Sequence, residues 1–305
     1  MLPTRDDVMR AHATIADRLA RTPLLPSRTI GARLKCELFQ RTGSFKVRGA
    51  LNKLSSLDDA DKRRGVIAIS AGNHAQAVAY AAAEEGVDAL VVMWTGASEQ
   101  KVAATRGYGA TVDLEASGPG DAFDRLHELI EQTGRTLVHP FDDPVVIAGA
   151  GTVGLEILED APDADAVIVA VGGGGLVSGI QTAIGDRVRV VAVEPETSTA
   201  LHTALERGKP TPVEPTSVAD GLNAPFAGAL PLEICRHLEL ALVSEEEIEH
   251  AFRFLYERAK LACEPAGAAA AAAWLSGKVE AERPVLVVSG GNVAAATAAA
   301  ILARR

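Results

Sequence analysis

The segment Arg41-Thr42-Gly43-Ser44-Phe45-Lys46-Val47-Arg48-Gly49-Ala50 sets one lysine among small and apolar residues, beside an aromatic ring. Burial and neighbouring cations lower the pKa of an amine, which makes it a nucleophile toward aldehydes and later a base. Read by itself, the stretch fits better an ordinary solvated lysine at the start of a helix. The segment Ser70-Ala71-Gly72-Asn73-His74 stands where an apolar run ends and a helical pattern begins. Its N–H groups and polar side chains suit a small anion such as a carboxylate, although a serine N-cap followed by an asparagine turn explains the same residues. Further on, an apolar run over 167–171 leads straight into Gly172-Gly173-Gly174-Gly175 and a helix beginning near Leu176. Backbone amides unshielded by side chains, together with a helix N-terminus, form an anion site. No Lys-Ser/Thr pair follows the glycines, so a Walker loop is excluded. A phosphate held by backbone alone is favoured over a plain strand-to-helix turn. A GxGxxG spacing occurs at Gly149, Gly151 and Gly154, but no acidic residue ends a following strand at ribose distance. Close helix packing through small residues accounts for it better.

From Gly65 onward, short β-branched runs alternate with longer helical stretches, the pattern of parallel sheets built from βαβ units. Strands are predicted over 66–69, 89–93, 111–114, 136–138, 166–171, 188–193 and 285–288. Helices are predicted over 73–85, 99–106, 122–132, 176–184, 198–207 and 244–261, the last opened by a Ser244 to Glu247 capping box. The alanine-rich stretch after Pro265 reads as a tightly packed helix, and the segment 210–215, with its prolines, as a loop. Both candidate anion sites thus fall at strand-to-helix turns.

The 305 residues suffice for two modest domains or one large one. With 48% hydrophobic but only 4% aromatic residues, the core must be built from Ala, Val, Leu and Ile. Lys and Arg number 30 against 40 Asp and Glu, and no basic stripe with interleaved aromatics occurs, so no nucleic-acid partner is expected. Arg5, Asp6, Asp7 and Arg10 precede no apolar leader, and no run reaches membrane-spanning length, so a cytoplasmic protein without membrane contact is expected. Cys36, Cys235 and Cys263 are odd in number and far apart, which suits buried thiols rather than disulfides or a zinc site.

Taken in their order, these segments resemble the fold type II pyridoxal-phosphate enzymes, and within them the serine/threonine dehydratase and serine racemase group. The likeness runs from Arg21-Thr22-Pro23-Leu24 to Ser289-Gly290-Gly291-Asn292. Between them it takes in Lys35-Cys36-Glu37-Leu38-Phe39-Gln40, His139-Pro140-Phe141-Asp142-Asp143, Val193-Glu194-Pro195, Ala219-Asp220-Gly221 and Glu264-Pro265. It implies an α/β, tryptophan synthase β-like architecture: two αβα domains with mostly parallel sheets and the cofactor in the cleft between them. A small domain, 65–142, would be inserted into a large one made of 1–64 and 143–305. The resemblance further implies pyridoxal 5'-phosphate held as an imine on the catalytic Lys46, with Phe45 packed on the ring and Gly221 against its other face. Asn73 would bond the 3'-oxygen, and Gly172, Gly173, Gly174 and Gly175 would cradle the phosphate. Ser70, Ala71, Gly72, Asn73 and His74 would receive the substrate carboxylate. Ser289 would face the pyridine nitrogen, and a neutral hydroxyl there leaves a weaker electron sink, which suits prompt loss of a β-leaving group.

The expected activity is therefore β-elimination of water from L-threonine or L-serine, giving 2-oxobutanoate or pyruvate and ammonia. Alternatives are a serine racemase, a 3-hydroxyaspartate dehydratase and, from another class, a non-catalytic binding module, against which the intact Lys46 speaks. Cysteine-synthase-like β-replacement would need a Thr-Ser-Gly-Asn-Thr loop that is absent. Racemases of the group carry a second serine where this chain has Ala71, so one proton partner is missing. Metal-activated members place a carboxylate where this chain has Ala200, leaving Glu194 alone, so no metal is expected. Ala150 stands where a glutamine is common, with no consequence assigned. A small amino-acid substrate, specificity set around Phe141 and Asn223, a homodimer and no appended regulatory domain complete the expectations.

Overall fold

The computed structural model describes residues 1–304, and at Pro119 the backbone alone. Its strands are β1 Leu24–Ser27, β2 Ala32–Cys36, β3 Val66–Ile69, β4 Ala89–Trp94, β5 Thr111–Ala116, β6 Thr136–Leu137, β7 Ala166–Ala170, β8 Arg189–Pro195, β9 Glu239–Val243 and β10 Pro284–Val288. They form a six-stranded sheet in the order β1-β2-β10-β7-β8-β9 and a four-stranded sheet in the order β5-β4-β3-β6. Only β1 against β2 is antiparallel. Every residue of β3, β7 and β10 is buried. Such runs are apolar throughout because helices cover both faces of a parallel sheet. The expected α/β class, with two domains and mostly parallel sheets, is what the chain adopts.

Several helices begin where their sequence signals place them. Asn73–Glu85 has the predicted bounds, and Ser244 and Glu247 form the reciprocal cap of Glu245–Phe254. The single helix expected over 244–261 is interrupted, however. A π-helical turn, Leu255–Ala259, follows, and Lys260 ends it with φ 62°. The alanine-rich helix is Pro265–Leu275, buried along residues 265–273, as a helix apolar on all sides must be.

The GxGxxG spacing lies in the middle of helix Pro144–Asp160 and serves packing. A Cβ on Gly149 would lie 2.5 Å from Arg48 O, and one on Gly151 2.7 Å from Gly179 O. A Cβ on Gly179 would in turn meet Gly151 N at 2.5 Å. The backbones of Pro144–Asp160 and Gly175–Ile184 thus touch directly, which places the glycine loop that opens the second helix. The three cysteines are free and buried.

Strands β1, β2 and β9 are absent from the sequence expectations, the first two for a physical reason. β1 contains Pro26 and lies at the sheet edge, where a missing N–H is tolerated. β2 carries Arg33 and Lys35, a polar pattern that reads as exposed. Yet Lys35 is fully buried, because Glu156 receives its ammonium at 2.5 Å and Thr22 O at 2.7 Å.

Candidate active site

A cavity of about 610 Å³ opens at the C-terminal ends of strands from both sheets. In an open parallel sheet this is where loops diverge and helix N-termini converge. Phe45, Lys46, Ser70, Ala71, Gly72, Asn73, His74, Gly172, Gly173, Gly174, Gly175, Gly221 and Ser289 all line it. Residues separated by more than two hundred positions are thereby brought to one space.

Lys46 is the first residue of helix Lys46–Ser55, but its side chain turns into the cavity and is not the solvated charge that the segment read alone suggests. Nζ donates to Pro140 O at 2.8 Å and stands 5.2 Å from the centre of the Phe45 ring. Burial draws the amine from the usual 10.5 down to about 8, with Glu264 opposing. An appreciable neutral fraction near pH 7 follows, as a nucleophile or base requires.

The helix that carries Lys46 is clamped two residues on by Arg48. This guanidinium, 2% exposed, donates to Glu37 at 2.8 and 2.9 Å and to Glu156 at 2.7 and 3.0 Å. Thr152 accepts a further bond at 3.1 Å, and Lys35 completes a charge-balanced cluster on Glu156. The cluster ties Lys46–Ser55 to β2 and to Pro144–Asp160.

At the end of β3, Ser70 Oγ accepts from Gly72 N at 3.1 Å, and helix Asn73–Glu85 begins without a side-chain cap on its first N–H groups. His74 is buried, with Nε2 2.8 Å from Val138 O. A carbonyl only accepts, so Nε2 carries the proton and Nδ1 is a bare acceptor, with no partner among the described residues. Burial, then Lys46, holds the imidazole neutral, at about 3.

Beyond β7, from Gly172 onward, the first N–H to find a backbone acceptor among the described residues is that of Ser178, on Gly174 O at 3.0 Å. The amides before it are free for an anion. Glycine is enforced here by the outer side of the loop. A Cβ on Gly173 would fall 2.2 Å from the Phe141 ring, and Gly174 has φ 96° with Pro231 Cβ only 2.5 Å from its Cβ position. Phe141 is held edge-on by His139 and Phe226, at ring separations of 4.7 and 5.6 Å. Asp142 anchors the same turn by accepting from Ala229 N and Leu230 N at 3.1 and 2.9 Å.

Ser289 follows β10, and its hydroxyl has no protein partner among the described residues. Gly221 lies across the cavity, where a Cβ would be 3.8 Å from Glu264 Oε1 and 4.0 Å from Asn73 Nδ2. An aldehyde-reactive lysine, a backbone anion cradle, a free hydroxyl and an amide around apolar walls form a donor set that fits a phosphorylated pyridine aldehyde. Glu194, by contrast, accepts from Leu201 N and His202 N at 2.7 and 2.8 Å and so caps helix Ala200–Arg207. Among the described residues, no group of three or more His, Cys, Asp or Glu side chains is placed to hold a metal.

Sequence reasoning assigned no task to Glu264, Lys101, Trp94 or Phe123, which also line the cavity. Only Glu264 carried a signal, its place before the proline that opens an alanine-rich helix.

A family model described as pyridoxal-phosphate dependent enzyme matches residues 15–291. The catabolic L-threonine dehydratase TdcB of Escherichia coli is 44% identical over 304 residues, covering 94% of this chain and 92% of that protein. The L-threonine ammonia-lyase of Thermotoga maritima is 42% identical, over 95% of this chain and 76% of its own. Among solved structures, maize serine racemase superposes with a TM-score of 0.90 at 36% identity, over 97% of this chain and 96% of that one. The processed form of threonine deaminase isoform 2 from Solanum lycopersicum does so with 0.90 at 31% identity, over 98% and 94%.

Proposed function

The chain belongs to the family of pyridoxal-phosphate dependent enzymes, and on that footing we propose that it is an ammonia-lyase removing water from L-threonine or L-serine. The observation that carries this reading is Lys46, whose amine opens, drawn toward neutrality, into a cavity that also holds an anion cradle and a helix N-terminus. When bound, the cofactor supplies the electron-withdrawing ring that acidifies the α-proton of the substrate. The amides of Gly172, Gly173, Gly174 and Gly175 would hold its phosphate, Asn73 its 3'-oxygen and Ser289 its ring nitrogen, and Phe45 and Gly221 would pack against the ring. The turn Ser70-Ala71-Gly72-Asn73-His74 binds the substrate carboxylate through the N–H groups that open its helix. Lys46 removes the α-proton as general base, and the β-hydroxyl leaves with a proton as water. The enamine released hydrolyses to the 2-oxo acid and ammonia.

The charge of the cavity supports a neutral substrate side chain. Its cations are Lys46 and Lys101, and the second is paired with Asp220. The extra carboxylate of 3-hydroxyaspartate would therefore be buried beside Phe123, Phe141 and Trp94 without a partner, which is costly. In a panel of L-serine, L-threonine and L-threo-3-hydroxyaspartate, 2-oxo acid should form from the first two, at least about 100-fold faster by kcat/KM than from the third. Preference for the diacid would overturn the substrate assignment.

Racemisation needs a proton donor on the face opposite Lys46, and the methyl group of Ala71 offers none. Chiral chromatography of L-serine after incubation should show little D-serine beside pyruvate, and Ala71→Ser should raise D-serine detectably. Wild-type D-serine at a rate comparable with pyruvate would favour the racemase instead. Ser289→Asp should protonate the ring nitrogen, alter the visible spectrum and slow clean elimination, whereas Ser289→Ala should do less. An unchanged spectrum and rate in the aspartate variant would remove Ser289 from the nitrogen.

Domain limits of 65–142 for the small unit, and 1–64 with 143–305 for the large one, belong to the same proposal. So do a cytoplasmic location and a homodimer. No helix of the described residues is long and apolar enough to cross a membrane. Helix Ala295–Ala303 leaves Ala295, Ala296, Ala299 and Ala300 exposed, a face suited to a second copy.

A further inference from the structure

Glu264 is a buried acid that lines the cavity and to which the elimination gives no task. It precedes helix Pro265–Leu275 with an extended backbone, φ −86° and ψ 163°, yet its side chain does not cap that helix. The carboxylate turns into the cavity instead, with only 3% of the residue exposed. There Oε1 accepts from Asn73 Nδ2 at 2.6 Å, and Oε2 has no donor among the described residues. The fold keeps the space clear: a Cβ on Gly290 would lie 2.3 Å from Oε1.

Asn73 is gripped from both ends. Its Oδ1 accepts from Asn292 Nδ2 at 2.7 Å, and that nitrogen also donates to Thr42 O at 2.8 Å. Because the Thr42 carbonyl can only accept, Asn292 has a single orientation and fixes that of Asn73, which is left with one N–H to donate beyond its bond to Glu264. Leaving a buried acid with one amide partner costs stability, so an apolar residue would serve a purely structural position better.

Resting on the elimination reading, we propose that Glu264 is a positioning residue: through Asn73 it aims the N–H that meets the 3'-oxygen of the cofactor, and across the cavity its charge biases the protonation of Lys46. The groups facing it are few. Lys46 approaches from its own helix, Asp220 and Lys101 form the ion pair at the rim, and Cys263 precedes it in the chain. Burial first, then Asp220, pushes Glu264 up to about 7, against Asn73, Lys101 and Lys46. The Cys263 thiol, pushed up to about 12 by burial, stays neutral, as does His74 beside Lys46. The charge that answers to Glu264 is therefore that of Lys46.

Glu264→Gln keeps the acceptor for Asn73 and removes the charge, whereas Glu264→Asp keeps the charge and withdraws the acceptor by one methylene. Three quantities are read: the pH midpoint of the visible absorbance of the holoenzyme without substrate, the pyridoxal phosphate dissociation constant of the stripped chain, and kcat and KM for L-threonine. In Glu264→Gln the midpoint should move to lower pH by about 0.5 or more and kcat fall about tenfold at near-constant KM, with the cofactor dissociation constant within about twofold. In Glu264→Asp the midpoint should stay and the dissociation constant rise about tenfold. The melting midpoint of each stripped variant shows that it has folded. A wild type inactive on both L-threonine and L-serine that still shows the shifts in midpoint and dissociation constant would sink the elimination and leave Glu264 in place. Turnover with an unmoved midpoint in the glutamine variant, or an unchanged dissociation constant in the aspartate variant, would overturn the proposal.

Discussion

Lys46→Ala should lower 2-oxo acid formation from L-threonine by on the order of 10⁴-fold or more, with the fold intact. The side chain contributes one hydrogen bond, to Pro140 O at 2.8 Å, and a position 5.2 Å from the Phe45 ring, so little packing is lost. What disappears is the one amine that the cavity draws down to about 8, and with it both the attachment of the cofactor and the base. Lys101 cannot replace it, being engaged with Asp220. The assay is run in buffer free of added amines, beside circular dichroism of the variant. Turnover within about tenfold of wild type would remove Lys46 from the chemistry.

The second large effect concerns stability. Arg48→Ala should destabilise the chain by about 3–5 kcal/mol, because it leaves the carboxylates of Glu37 and Glu156 buried without their main partner. Glu37 is fully buried and Glu156 is 3% exposed, so water cannot take over. The same change frees the helix two residues beyond its first residue, Lys46, and kcat should fall in whatever fraction stays folded. Urea denaturation of Arg48→Ala measures the loss. Adding Glu37→Gln to that variant should recover part of it, since Glu156 still pairs with Lys35 and no buried charge is then left uncompensated. A loss under about 1 kcal/mol would mean that the cluster relaxes without cost.

How much of this was legible in the sequence depends on which residues carry their own signal. The bounds of β3 and of Asn73–Glu85 were readable because an apolar run ends there in residues that open helices. The residues expected to hold the cofactor and the substrate do line one cavity, and the two anion motifs, 70–74 and 172–175, each sit at a strand-to-helix turn. The supporting residues were silent. Lys35, Glu37, Arg48 and Glu156 look like surface charges along the chain, and only the fold reveals that they neutralise one another inside it. β2 was missed for that same reason. Glu264 is another case: its role depends on Asn73, 191 positions away, and no local periodicity reports such a contact. The GxGxxG spacing shows the reverse hazard, a motif with a known chemistry that here lets two helices touch.

The most direct test of the account is to fix the cofactor where it sits. Holoenzyme is reduced with borohydride, digested and mapped by mass spectrometry for the peptide that carries the reduced pyridoxyl phosphate. The account predicts a single modified peptide, the one containing Lys46, and loss of L-threonine turnover in proportion to its labelling. Modification of another lysine, Lys101 above all, or full turnover after complete labelling of Lys46, would contradict it.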